Sequence, residues 1–214
     1  MADDHSGRRL SREMRMRKRL FQLGYYLIVT DTKCTEKAYF EGLRYSLPKE
    51  IMNNISLKVV EAPTKDLIDI CLETKSKEVQ NRIPWIVFDR DKVPDFDVLI
   101  RQAENNGINV AWSNPCLEVW FFAYYGSIPT VIDSVQCCSK FAELFQKKTG
   151  FEYSKSDRQL YARLTSTGDE SKAIQVAKQR LRSHLDGNLK KPSDMVPCTM
   201  VQELVEEIRK KTER

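Results

Sequence analysis

Along the first half of the chain, short apolar runs alternate with longer amphipathic stretches, and the second half carries helical periodicity alone. Tyr25 to Thr30 (YYLIVT) and Trp85 to Phe88 (WIVF) are unbroken runs of aromatic and aliphatic residues, the pattern of strands buried on both faces. Ile55 to Ala62 and Ile108 to Trp112 predict two further strands. A helix is predicted after the first strand, with Ala38, Tyr39, Leu43 and Leu47 on one face and Pro48 closing it. Others are predicted from Thr64 to about Val79, with Leu67, Ile68, Cys71 and Leu72 inward, and from Pro94 to Asn105. Four alternations with short connections predict an α/β fold: a four-stranded parallel sheet, right-handed crossovers and helices on both faces. Ser113-Asn114-Pro115 reads as the cap of the next helix, with proline in its first turn.

From Pro129 onward only helices are expected. They are Ser134 to Lys148, Asp157 to about Leu164, and Asp169 to Leu185 with Ile174, Ala177, Leu181 and Leu185 inward. A polar loop from Asp186 to Pro197 precedes a last helix, Thr199 to Lys211, striped by Val201, Leu204, Val205 and Ile208. The expected organisation is a basic N-terminal arm (1–24), an α/β core (25–126), a helical insertion (127–198) and a C-terminal helix (199–214) packing back on the core.

Hydrophobic content of 41% with 30% charged residues is ordinary for a globular protein, and no apolar run approaches the ~20 residues of a membrane span. The polar and then basic N-terminus, with no apolar region behind it, leads to the expectation of a cytoplasmic protein. The six cysteines (34, 71, 116, 137, 138 and 198) show no C-x-x-C spacing, so they read as reduced thiols and do not point to a structural zinc. The net charge of +5 is concentrated: residues 8–19 (RRLSREMRMRKR) carry +6, leaving −1 for the remainder. Arg12, Arg15 and Arg19 belong to this helix-favouring segment, which suits nucleic acid phosphates. A solvated helix packed on the body or on a partner chain is the other reading of it.

Candidate chemistry centres on the third strand, which ends abruptly in Asp89-Arg90-Asp91. Two carboxylates with one residue between them repel unless a cation, most simply Mg²⁺ or Mn²⁺, sits between them. In parallel strands, functional groups collect beyond the carboxyl ends, so Asp31 after the first strand joins Asp89 and Asp91 at one edge. Glu118 stands alone in CLEVWFFAYY, where burial costs several kcal/mol, roughly, unless it is paired, protonated or metal-bound. Each of these has a plainer alternative: an acidic loop, a helix cap for Asp31, a dipole-facing acid for Glu36, and solvated charges for Arg90 and Lys155.

These motifs, in this order, resemble the RloB-like family of phage-defence proteins. The resemblance rests on Thr30-Asp31-Thr32-Lys33-Cys34-Thr35-Glu36 followed by Tyr39 and Phe40, on Asp89-x-Asp91, and on Ser113-Asn114-Pro115-Cys116 with Glu118 and Trp120. The Tyr153-x-Lys155 pair and Pro197-Cys198-Thr199 complete it, so that it covers Tyr25 to the end. It implies a Toprim-like sheet and a Mg²⁺- or Mn²⁺-dependent nuclease acting on RNA, tRNA or DNA, with an ATPase partner in a defence system. Asp31, Asp89 and Asp91 would be metal ligands, Asp31 or Glu36 the general base, and Glu118 a further ligand or orienting group. Lys33, Arg90 and Lys155 would stabilise phosphate charge. The catalytic turn departs from the family pattern, with Asp31 in place of glutamate, Thr32 in place of glycine and Cys34 in place of lysine. The alternative is therefore a catalytically weakened module that holds nucleic acid, a nucleotide or a partner protein.

Overall fold

The computed structural model describes residues 26–30, 34–53, 55–59, 63–77, 82–91 and 93–212. The first unit is β1 (Tyr26–Thr30), α1 (Thr35–Tyr45), the short α2 (Lys49–Met52) and β2 (Ile55–Val59). A 3₁₀ turn, Thr64–Asp66, leads into α3 (Leu67–Lys77), then β3 (Ile83–Asp89), α4 (Phe96–Asn105) and β4 (Asn109–Asn114). Next come α5 (Glu118–Ala123), α6 (Ser134–Thr149), α7 (Leu160–Thr167) and α8 (Glu170–Asp186). The 3₁₀ turn Pro192–Asp194, β5 (Cys198–Thr199) and α9 (Val201–Thr212) close the chain.

The sheet order is β2-β1-β3-β4-β5. The first three pairings are parallel, and β5 adds antiparallel to β4 through Ser113–Thr199 and Asn114–Cys198. The sheet is therefore mixed and five-stranded, not the all-parallel four-stranded sheet expected. A two-residue strand is too short to leave a periodic trace in sequence.

Because side chains alternate across a strand, the central strands β1, β3 and β4 each feed two cores. Tyr26, Ile28, Trp85, Val87 and Ala111 face α1, α5, α9 and the packed helices α6 to α8. Leu27, Val29, Ile86, Phe88, Val110 and Trp112 face α3 and α4. The stripe of α9 (Val201, Leu204, Val205 and Ile208) is wholly buried, as its periodicity predicts. In α8 the expected stripe shifts. Ala173 and Ala177 are buried, Ile174 packs at the margin of one core and Leu181 at the margin of the other, while Leu185 is 52% exposed. The last turn of α8 runs past the surface that covers its earlier turns.

A second correction concerns Ser113-Asn114-Pro115. Ser113 and Asn114 continue β4, the Asn114–Pro115 bond is cis, and α5 starts only at Glu118 without a side-chain cap. The Asn114 side-chain amide instead donates to the carbonyls of Pro192 and Ser193 at 3.0 and 3.1 Å. Thr199 likewise belongs to β5, and its hydroxyl accepts from the N–H of Val201 at the start of α9. The helix expected from Asp157 starts at Leu160, Asp157 accepting from the N–H of Gln159 ahead of it.

Polar links tie the helices on one face of the sheet to one another. The Tyr39 and Tyr124 hydroxyls lie 2.8 Å apart, and Glu170 accepts from Tyr124 at 3.0 Å and Tyr161 at 2.9 Å. Gly42 is where α1 meets α7: a Cβ there would overlap Cβ of Tyr161.

Candidate active site

β1 and β3 are parallel neighbours with Thr30 opposite Val87, so their carboxyl ends share one edge of the sheet. Asp89 closes β3 at that edge and is half-buried. Glu36, in the first turn of α1, and Glu118, which opens α5, are 3% and 1% exposed. Burial, followed by the negative charges of Glu36 and Glu118 with a smaller contribution from Asp91, pushes the Asp89 carboxyl well above its usual range. The backbone N–H of Leu117 opposes the shift. The edge is thus a concentration of negative potential around Asp89.

Glu118 has a different environment. The Tyr153 hydroxyl donates to its Oε1 at 2.8 Å, and Lys155 Nζ lies 3.5 Å from the same oxygen. Burial works against ionisation, but Lys155 and hydrogen bonds from Cys116 and Tyr153 outweigh it and hold the carboxyl below its ordinary range. Lys155 is raised in return: burial of its stem lowers its basicity, and the Glu118 charge more than restores it. The Tyr153 ring packs edge-on against Phe141 at 4.9 Å and against Phe145 at 5.6 Å, which fixes its hydroxyl. The lone acid that the sequence singled out is therefore a paired, buried carboxylate.

Asp91 is exposed and Arg90 half-buried. Both open on a cleft of about 240 Å³ shared with Asn114, Ser134 and Ser193. The backbone N–H of Arg90 bonds the Ser113 carbonyl at 2.9 Å, and its guanidinium lies over the Phe96 ring at 5.9 Å. Asp31, Lys33, Arg12, Arg15 and Arg19 lie outside the described residues. Asp89, Glu36, Glu118 and Lys155 are thus drawn together, Asp91 adds its charge from the exposed side, and Asp91 and Arg90 also line a second cleft.

Two features had no local signal in the sequence. A groove of about 460 Å³ runs from Cys34 past Lys37 to Tyr45, with Ser156 and Arg158 on its other wall. Tyr45 is 67% exposed, with Arg44 over its ring at 5.9 Å. Cys116 and Cys138 meet beside Glu118, though they are far apart in sequence and on different elements. A larger cleft, about 530 Å³ against Pro63, Lys65, Val93 and Val98, is lined by none of these carboxylates.

The family model described as RloB-like protein matches residues 26–208. The chain belongs to the RloB-like family. No curated protein matches it. Among solved structures it is similar to the C-terminal region of the Xanthomonas campestris pv. campestris OLD protein, at 16% identity and a TM-score of 0.35, covering 89% of this chain and 96% of that one. In this RloB-like chain, no helix among the described residues is long and apolar enough to cross a membrane.

The acids around Asp89 suit a hard divalent cation, since carboxylate oxygens are the donors Mg²⁺ and Mn²⁺ prefer and the local charge is negative. Among the described residues, the grouping of three ligand atoms within 4.8 Å is a different one, Cys116, Glu118 and Cys138. A hard cation would therefore have to draw on Asp89 and its neighbouring acids, which form no preformed cage among the described residues.

Proposed function

We propose that this RloB-like protein is a metal-dependent nuclease with a Toprim-like site, the effector of an anti-phage defence system. The observation that carries the reading is Asp89, held half-buried at the carboxyl end of β3 between the negative charges of Glu36 and Glu118. A cation relieves that repulsion more directly than any other ligand. Asp89 and Asp91, with Asp31 after β1, would hold Mg²⁺ or Mn²⁺, which when bound polarises a phosphate and lowers the pKa of water.

The remaining work falls to the chain's own groups. Asp31 or Glu36 takes the proton of the attacking water. Lys155 is kept charged by Glu118 and, with a side chain 55% exposed, presents its ammonium to phosphate oxygens. Arg90 and Lys33 supply further positive charge. Toward the oxygen site Glu118 takes the orienting one of the two roles the resemblance allows it, acting through Lys155 and Tyr153.

Substrate would follow the groove beside α1. Lys37 and Arg158 can track phosphates there, and the exposed Tyr45 ring offers a face for a base. Such a groove favours a single-stranded stretch of RNA, tRNA or DNA. The arm containing Arg12, Arg15 and Arg19 would add sequence-independent phosphate contacts. Family resemblance extends the proposal to a regulating ATPase partner, and the reading of the cysteines as reduced thiols extends it to a cytoplasmic setting.

A second reading is a binding module with weakened catalysis. It is favoured by the departures at Asp31, Thr32 and Cys34 and by a Glu118 whose charge is already satisfied. One experiment separates the two. Labelled tRNA, single-stranded RNA and duplex DNA are incubated with the protein in Mg²⁺ or Mn²⁺, beside an Asp89→Ala/Asp91→Ala double variant. Cleavage by wild type that the variant lacks supports the nuclease. Binding without cleavage, with and without the candidate ATPase, supports the module.

A further inference from the structure

Cysteines in protein interiors usually act as small hydrophobic residues, and Cys71 and Cys198 do so within the core on the α3/α4 side. The thiols near Glu118 are arranged differently. Cys116 lies in the turn between β4 and α5, Glu118 opens α5, and Cys138 comes from the first turns of α6. Their ligand atoms all lie within 4.8 Å of one another. A tetrahedral zinc ion with Zn–S near 2.3 Å needs donors roughly 3.8 Å apart, so a small side-chain adjustment closes the set. Cys116 and Glu118 are each 1% exposed, whereas Cys138 is only partly covered and leaves a way in.

We propose that Cys116, Cys138 and Glu118 form a binding site for a thiophilic divalent metal of the zinc class, with its fourth position left to water. On binding, each thiol forms a metal–sulfur bond and releases its proton to solvent, and no electron is transferred. Two thiolates and one carboxylate exceed the ion's charge by one, and the Lys155 ammonium 3.5 Å from Glu118 balances the excess. The site differs from the oxygen site around Asp89 in its ligand class: soft thiolates select zinc-like ions, and carboxylates alone suit Mg²⁺. Glu118 joins the two regions, since the same carboxylate anchors Lys155.

The test is a Co²⁺ titration of the reduced, full-length protein, read by the thiolate-to-cobalt charge-transfer absorption. One Co²⁺ per chain should produce the band, Zn²⁺ should remove it, and excess Mg²⁺ should leave it unchanged. Cys138→Ser and Glu118→Gln should each weaken binding at least ~10-fold. Cys34→Ser, an exposed thiol elsewhere, and Asp89→Ala should keep the band. Absence of the band, its survival in Cys138→Ser, or its loss in Cys34→Ser overturns the proposal. A variant-free measurement guards against misfolding: Zn²⁺ should protect Cys138 of the wild type, but not Cys34, from alkylation read by mass spectrometry. Equal alkylation of Cys138 with and without Zn²⁺ overturns it as well.

Discussion

The Tyr153 hydroxyl donates to Glu118 Oε1 at 2.8 Å, joining the segment between α6 and α7 to the start of α5. The bond lies at the foot of a ring cluster with Phe141 and Phe145, so the tyrosine cannot turn away without losing aromatic contact. With the Lys155 charge and the Cys116 hydrogen bond, it lets an ionised carboxylate stand beside the apolar Trp120 and Phe121.

Tyr153→Phe should therefore cost about 2 kcal/mol of stability at neutral pH, the magnitude of a hydrogen bond to a charged acceptor. Glu118 is depressed in the folded protein, so its stabilising contribution is present above the unfolded carboxylate pKa and lost as pH falls through the folded value. The gap between wild type and variant should narrow below about pH 4. Urea unfolding at several pH values measures it, and a gap independent of pH would mean that the bond does not serve the ionised form.

Asp89 has the opposite sign. Its carboxyl is raised on folding, so the folded state keeps its proton to higher pH, and the penalty of ionising it builds as pH climbs past the unfolded value. With EDTA present, Asp89→Asn should raise Tm at pH 7 and leave it unchanged near pH 3. The Asn carbonyl still accepts from the Leu117 N–H. Adding Mg²⁺ should raise the Tm of wild type and not of the variant, by mass action on the folded state. A thermal-shift series across pH decides this. A variant less stable than wild type at pH 7 in EDTA would contradict the crowded-acid description.

Gly42→Ala probes the contact between α1 and α7. The added methyl meets Cβ of Tyr161, which cannot move without the backbone of its helix. Overpacking costs about 1–3 kcal/mol, and overlap with an atom fixed to the backbone takes the upper part of that range, more than the roughly 1 kcal/mol that alanine's helix preference returns. Denaturation midpoints should show a net loss. An increase would mean that α7 can withdraw.

The groove beside α1 is tested by ionic strength. If Lys37 and Arg158 each neutralise one phosphate of a single strand, the double alanine variant should flatten the log K against log salt slope by about 1.4. Tyr45→Ala should weaken single-strand binding by about 1–3 kcal/mol with the slope unchanged. Fluorescence anisotropy at four salt concentrations gives both. A slope unaffected by the double variant would move the binding path elsewhere.

Local pattern accounts for most of the fold. The runs YLIVT and WIVF declared themselves as strands because burial on both faces leaves no polar position within them, and α9 declared its stripe through a 3.6-residue period. The same reasoning found Glu118, since a charge in an apolar helix stands out wherever the helix packs. It failed at Ser113-Asn114-Pro115, where capping residues serve as a strand because β5 arrives from the far end of the chain to pair with them.

What the sequence by itself determined was the set of elements and the acids that end them, because those depend on neighbours a few residues away. Tertiary structure alone decided the partners: Glu118 with Tyr153 and Lys155, Asp89 with Glu36, Cys116 with Cys138, and Gly42 against Tyr161. Each of these pairs joins segments apart in the chain, brought together by the packing of whole helices on the sheet, which no periodicity within a single element encodes.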